Sequence, residues 1–234
     1  NLSEKFKMTR YVWLVLLWAT WCFLHSFMIA PRVTEFVRKR SEKAYRYYRI
    51  FYNLIAFVTL IPVLIYSFSI KAQPLFRWEG PFRIVQGLLV ASAFLLFIGG
   101  AGRYDLLQFL GIRQVRENNA CSTLTNDCRL DTGGILGVVR HPWYAGGILI
   151  VWAENLDVTA ILTSLVITAY FLIGAFLEER KLLAEFGEEY IVYRRRVSMF
   201  FPFKWVMQKL KGKGTSTGTK NNPSNDPKHD DEKY

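Results

Sequence analysis

Long apolar runs alternate with charge-rich segments along most of the chain. Four of them, residues 11–29, 50–70, 84–102 and 160–177, approach the twenty or so residues that carry a helix across a bilayer core of about 30 Å. A fifth, residues 144–153, is shorter: about 15 Å of helix at roughly 1.5 Å per residue. The pattern predicts an all-α protein, a polytopic membrane bundle of about five transmembrane helices. Pro62 falls inside the second run and is expected as a tolerated kink. The short fourth pass has two readings. Either the hairpin it opens reaches only half depth, or its helix begins below the membrane surface. The second reading puts Arg140 and His141 inside the boundary, where charged groups are costly and usually functional or paired.

The polar segments set the topology. Residues 32–49 carry Arg32, Arg38, Lys39, Arg40, Lys43, Arg46 and Arg49 against Glu35 and Glu42. Basic loops stay in the cytoplasm. Five passes then put residues 103–140 and everything after Glu178 on the same side, and the sparsely charged 71–83 connection and "ENLDVT" turn on the other. Every charge-rich segment is cytoplasmic in that arrangement, with the amino terminus outside and the carboxyl terminus inside. A bacterial inner membrane is the expected setting. The first run is too long for a removable signal peptide and lacks a small-residue cleavage site. Residues 1–209 read as one membrane domain and 210–234 as a disordered polar tail of Gly, Ser, Thr, Lys, Asn and Asp.

Composition changes this picture only in detail. The chain is 51% hydrophobic and 16% aromatic with net charge +11, too apolar for disorder. Given the apolar runs, the basic excess is positive-inside charge, so the expected partner is the bilayer and not nucleic acid. Cys22, Cys121 and Cys128 do not make a disulfide framework. No metal site is expected.

Two polar edges flank the short fourth pass. The first is "GGILGVVRHPWYAGG", residues 133–147. A residue before proline is pushed out of the helical region, so His141 should be extended. Pro142 suits the first position of a helix. A helix start leaves amide donors without partners, the usual seat of an anion. Arg140 and His141 stand just before it, and Gly133, Gly134 and Gly137 let the backbone bend tightly or approach a ligand. The competing reading is an interfacial anchor, with Arg140 snorkelling and Trp143 and Tyr144 in the aromatic belt. The second edge is "LEERKLLAEFGEEYIVYRRRV", residues 177–197. Glu178 and Glu179 stand at the end of the last apolar run, poorly placed for a helix C-terminus. Compensation is expected from Arg180, Lys181, Arg194, Arg195 and Arg196, or from a bound cation. Gly187 should end that helix, and in the next one Tyr190, Tyr193 and Val197 share a face.

With "RHPWYAG", a short apolar hairpin, "EERKLLAEFGEEYIVYRRRV" and a closing "FP", the chain resembles the isoprenylcysteine carboxyl methyltransferase superfamily of integral-membrane methyltransferases. Upstream, "FLHSFMIAPRV" and "YDLLQFLGIRQV" look like the branch that holds methanethiol S-methyltransferase and NnrU-like proteins. The resemblance implies S-adenosylmethionine as cofactor, a cofactor-binding core over residues 133–203, and a small or lipophilic thiol or carboxylate as methyl acceptor. It implies Arg140 and Glu178 as catalytic residues. The cofactor-binding set is Gly134, His141, Pro142, Tyr144, Gly146, Glu179 and Tyr190, with Trp143 or Tyr190 suited to adenine. Leu136, where many relatives have an aromatic, and Gly133, where carboxyl methyltransferases have a histidine, weaken a prenylcysteine acceptor. Some relatives in this branch bind haem, so the alternative is an NnrU-like haem-binding membrane isomerase or redox accessory protein with His25 as ligand. The simpler reading of His25 is a hydrogen-bonded histidine between helices.

Overall fold

A computed structural model describes residues 2–117 and 129–214; Cys121, Cys128 and His229 lie outside them. The described chain is helical, with two isolated β-bridges, Phe76 with Leu156 and Val139 with Ser198. Four helices are long and apolar enough to cross a membrane: α1 (Leu2–Met28), α3 (Glu42–Ser69), α4 (Phe82–Ala101) and α8 (Val158–Phe186). Short helices α2 (Pro31–Arg40), α5 (Leu106–Leu110) and α6 (Ile112–Glu117) lie between them. The short apolar α7 (Pro142–Trp152) follows, and α9 (Glu188–Arg196) and α10 (Phe203–Gly214) close the chain. Large apolar side chains such as Phe57, Ile65, Leu95, Ile98 and Ile173 point outward, away from any protein partner. Water would not tolerate such a surface; lipid covers it. The protein is an all-α integral membrane bundle.

With no hydrophobic drive between helices inside lipid, close packing and a few polar contacts hold them together. On one side α1, α3 and α8 meet around Leu14, Trp18, Val63 and Ile70. There the Trp18 indole donates to Ser67 Oγ at 3.1 Å, and the Trp21 indole to the Ala56 carbonyl at 3.0 Å. On the other side α7 is wedged between α4 and α8 where side chains are small. A Cβ on Gly146 would meet the Ala93 carbonyl at 3.2 Å, and one on Gly100 would meet the Trp143 ring at 2.4 Å. Trp143 Nε1 donates to Phe97 O, Ser164 Oγ to Val151 O and Trp152 Nε1 to Thr168 Oγ1. α3 runs unbroken through Pro62.

The connections sort to two ends. At one end the 70–81 segment meets the 153–157 turn. Trp78 donates its backbone N–H to Asn155 Oδ1 and its indole N–H to the Glu154 carbonyl, and Gln86 donates to Ala153 O. At the opposite end Arg49 donates to Gln108 O at 2.7 Å, Asn53 to Phe109 O at 3.0 Å and Tyr48 to Met28 O at 2.9 Å. Asp105 caps α5 through the Gln108 amide and pairs with Arg113. Burial alone would raise its carboxyl pKa. The Gln108 amide, the Arg113 guanidinium and the Leu107 amide together outweigh that and hold it below the usual carboxylate value.

α8 ends where Gly187 was expected to end it: at φ +52°, Gly187 donates to Leu183 O and stops the helix after Phe186. What changes is the place of Glu178 and Glu179, which were expected at its C-terminus. The two glutamates therefore stand inside a helix, with no C-terminal dipole to oppose them. Residues 210–214, expected in the polar tail, belong to α10, which continues to Gly214, and residues 215–234 of that tail lie outside the described residues. α7, with 11 residues, is about 16 Å long and covers about half of a bilayer core.

Two outcomes check this arrangement. Thiol-reactive labels at Lys39→Cys and Lys209→Cys should react from one side of sealed vesicles, and those at Trp78→Cys and Asp157→Cys from the other. Labelling of all four from one side would overturn the alternation. Gly100→Ala drives a methyl group into the Trp143 indole and should cost about 1–3 kcal/mol, read as a lower Tm in detergent.

Candidate functional site

The two polar edges meet at the start of α7. The segment before it is extended. The Arg140 N–H donates to Ser198 O at 2.9 Å and the His141 N–H to Met199 O at 3.1 Å, continuing the parallel bridge of Val139 with Ser198. His141, before proline, is out of the helical region at φ −123°, ψ 68°, and the helix begins at Pro142. No side chain caps it. The Trp143 and Tyr144 amides thus fall in the first turn, where a helix offers its own backbone no acceptor.

Arg140 and Glu179 form the centre, and both are buried. Arg140 Nε donates to Glu179 Oε1 at 2.8 Å, and Nη2 donates to the same oxygen. Nη1 donates to the Arg194 carbonyl at 3.2 Å and to the Val197 carbonyl. The partner expected among Arg180, Lys181 and Arg194–Arg196 is thus Arg140, from across the hairpin. Arg140 also satisfies the carbonyls that the end of α9 leaves free.

His141 is 3% exposed and lies between the two glutamates: Nε2 is 3.4 Å from Glu179 Oε1, and Nδ1 is 3.6 Å from Glu178 Oε2. The Nε2 contact is close enough for charge but not aligned as a hydrogen bond, so Nε2 has no partner among the described residues. The ring stacks on Tyr144 at 5.5 Å with an interplanar angle of 4°, and Tyr144 stacks on Phe171 at 5.4 Å. Glu178 is half-buried, the more open of the two acids, and its charge reaches Tyr104 and Tyr144.

From α9, Tyr190, Tyr193 and Val197 pack inward as one cluster, as their spacing indicates. Tyr193 donates to Leu136 O at 2.7 Å. The Tyr190 hydroxyl is buried and unpartnered among the described residues. Burial first, and then the charge of Glu179, raise its pKa, so it stays a neutral phenol. Burial and the charge of Glu178 do the same to Tyr104.

Other expected residues stand elsewhere. Gly134, at φ +54°, lies beneath Arg103, and a Cβ on Gly133 would meet Arg103 Nη2 at 2.0 Å. Arg103 in turn pairs with Asp131 at 2.8 Å. Arg103 crossing over them gives this glycine pair a reason within the protein itself. Gly146 faces α4, and the Pro142 side chain is buried with Cγ toward Gly100. The Trp143 indole is held by Phe97 O and edge-on to Tyr104 at 4.8 Å. His25 is remote from this cluster: it stacks on Trp21 at 5.5 Å, beside Tyr52 and Tyr170. No group of three or more potential metal ligands occurs among the described residues. Sequence reading missed Tyr104, Phe171 and the Ser198–Met199 carbonyls. Tyr104 lay in a motif with no assigned role, and the others carry no chemical signature in their letters.

The donor set suits one polar, zwitterionic ligand. Uncapped amides and His141 Nε2 match a carboxylate, Glu178 matches an ammonium or hydroxyls, and the Tyr190 hydroxyl adds an orphaned polar group beside the ion pair.

The description of the family model that matches residues 13–206 is "NnrU protein". The chain is 30% identical over 198 residues to methanethiol S-methyltransferase 1 of Bradyrhizobium diazoefficiens, covering 81% of this chain and 66% of that protein. It is 43% identical over 140 residues to the methanethiol S-methyltransferase of a Pseudomonas species (56% and 51%) and 44% identical over 120 residues to that of Crocosphaera subtropica (50% and 42%). The matches thus cover 42 to 66% of the length of these relatives. No solved structure matches it.

The Arg140–Glu179 pair predicts unequal costs for the two acids. Glu179→Gln leaves a buried guanidinium without its counter-charge and should cost about 3–5 kcal/mol. Glu178→Gln, at the open side, should cost under about 1 kcal/mol. Denaturation of both variants in the same detergent measures the difference; equal losses would remove Glu179 as the structural partner.

Proposed function

The chain belongs to the NnrU protein family, and from that premise we propose that it is an S-adenosylmethionine-dependent methyltransferase acting on a small or lipophilic thiol. The observation that carries this reading is the pair of unpartnered buried polar groups, His141 Nε2 and the Tyr190 hydroxyl, beside the uncapped start of α7. The names of the three relatives supply the reaction class.

His141 and the Trp143 and Tyr144 amides hold the cofactor's carboxylate, and Glu178 faces its ammonium or ribose hydroxyls. When bound, S-adenosylmethionine supplies an electrophilic methyl group on a sulfonium. The acceptor sulfur would take the methyl group as the sulfonium's S–CH3 bond breaks and its own S–H proton leaves, so that the thioether, S-adenosylhomocysteine and one proton would result. A free thiol has a pKa near about 8.5 and is mostly neutral at pH 7, so a proton acceptor helps. Glu178 is the acid placed for that, half-open and beside His141 Nδ1. Arg140 has its donors on Glu179 and two carbonyls. Its role is to fix Glu179, His141 and the end of α9, and thereby the cofactor seat. By the positive-inside rule this end of the bundle faces the cytoplasm of a bacterial inner membrane.

Labelled methyl transfer from S-adenosylmethionine to methanethiol, longer thiols, prenylcysteine and phospholipid amines tests the reading. Transfer to thiols is expected, and no transfer to any acceptor would end it. His141→Ala should weaken cofactor binding by calorimetry at least tenfold. Arg140→Lys cannot copy the forked contact, so it should lower both Tm and kcat; an unchanged variant would return Arg140 to an anchoring role. Glu178→Gln should lower kcat with Tm kept.

A further inference from the structure

Helix α10 is amphipathic, and its apolar side is largely exposed, with Phe203 beside the Phe201 ring at 5.9 Å. Phe203, Val206, Met207 and Leu210 follow the i, i+3, i+4, i+7 spacing of one helical stripe, and they are 70, 42, 56 and 66% exposed. A different side of the helix is tied down. Lys204 Nζ donates to Arg194 O at 2.9 Å, the Lys204 N–H to Ser198 Oγ at 3.1 Å and Gln208 Nε2 to Arg196 O at 3.0 Å. Lys209, whose ammonium lies 5.8 Å from the Trp205 ring, and Lys211 border the stripe from either side. An apolar stripe with lysines on its flanks is the pattern of a helix that lies in a membrane interface, its apolar face among the acyl chains and its cations among headgroups. The bundle it is attached to crosses a bilayer.

We propose that α10 seats on the bilayer surface through Phe203, Val206, Met207 and Leu210, with Lys209 and Lys211 against anionic headgroups. The seat bears directly on the Arg140 cluster. The Arg194 carbonyl accepts from Lys204 Nζ and also from Arg140 Nη1. Ser198 accepts the Lys204 N–H on its hydroxyl and the Arg140 N–H on its carbonyl. Anionic lipid that holds α10 therefore holds the two groups that position Arg140. The inference does not depend on which reaction the site performs.

Spin labels on the full chain in nanodiscs test it, with Cys22, Cys121 and Cys128 replaced by serine. In discs of phosphatidylcholine with phosphatidylglycerol, a nitroxide at Met207→Cys should be relaxed by oxygen and shielded from a water-soluble nickel chelate. One at Lys211→Cys should behave the opposite way. Leu210→Cys repeats the measurement at a second stripe position, and helix content by circular dichroism checks that each variant is folded. Each of Lys209→Ala and Lys211→Ala should lower the ratio of seated to unseated helix about fivefold in anionic discs and little in phosphatidylcholine alone. Equal nickel access at Met207 and Lys211 would overturn the proposal. So would seating indifferent to lipid charge, or dipolar broadening showing that a second copy covers the stripe.

Discussion

One buried guanidinium arranges the second half of the molecule. Arg140 leaves water to sit against Glu179 and the carbonyls of Arg194 and Val197. Removing an ion from water costs several kcal/mol even after relaxation, and only a well-formed set of partners offsets it. Those partners come from separate stretches of chain, α8 and the end of α9. The ion pair thus fixes where α9 turns back and which residues face the start of α7.

What surrounds that pair is less satisfied. Native interiors pair nearly all of their buried polar atoms, so the exceptions ask for a reason. Of six such atoms among the described residues, two, His141 Nε2 and the Tyr190 hydroxyl, border the same ion pair, at a helix start with no cap. Glu178 keeps one side toward the exterior while Glu179 is closed off. Adjacent identical residues differ by position on the helix: Glu179 is closed against Arg140, and Glu178 lies near His141 with one side open.

The membrane half of the molecule is built on different terms. Its helices show large apolar side chains to lipid and meet each other through glycines and indole or hydroxyl donors. α7 follows from this. Its glycines at 146 and 147 admit Phe97 and Phe171 at close range, which brings α7 between α4 and α8. It has 11 residues against 20 in α4 and 29 in α8, and Arg140 and His141, just before its start, are buried within protein.

The order and class of the elements were legible in the letters, because membrane solvation acts on short stretches. A run of apolar residues near bilayer length has one stable conformation there, the helix, since every amide must be paired within its own segment. Pro142 at a helix start, Gly187 at a helix end and the shared face of Tyr190, Tyr193 and Val197 are local rules too, and they stand in the structure as read. Which charges meet was not legible. The letters put Arg180, Lys181 and the Arg194–Arg196 run closest to Glu179, yet helix geometry turns those side chains to the surface, and Arg140 arrives from 39 positions away. Nor was it legible that Arg103 would lie against Gly133 and Gly134. The periodicity of a helix says which residues share a side. Only the packing of helices against one another says what that side meets, because the meeting depends on crossing points set by glycines and rings far apart in the chain.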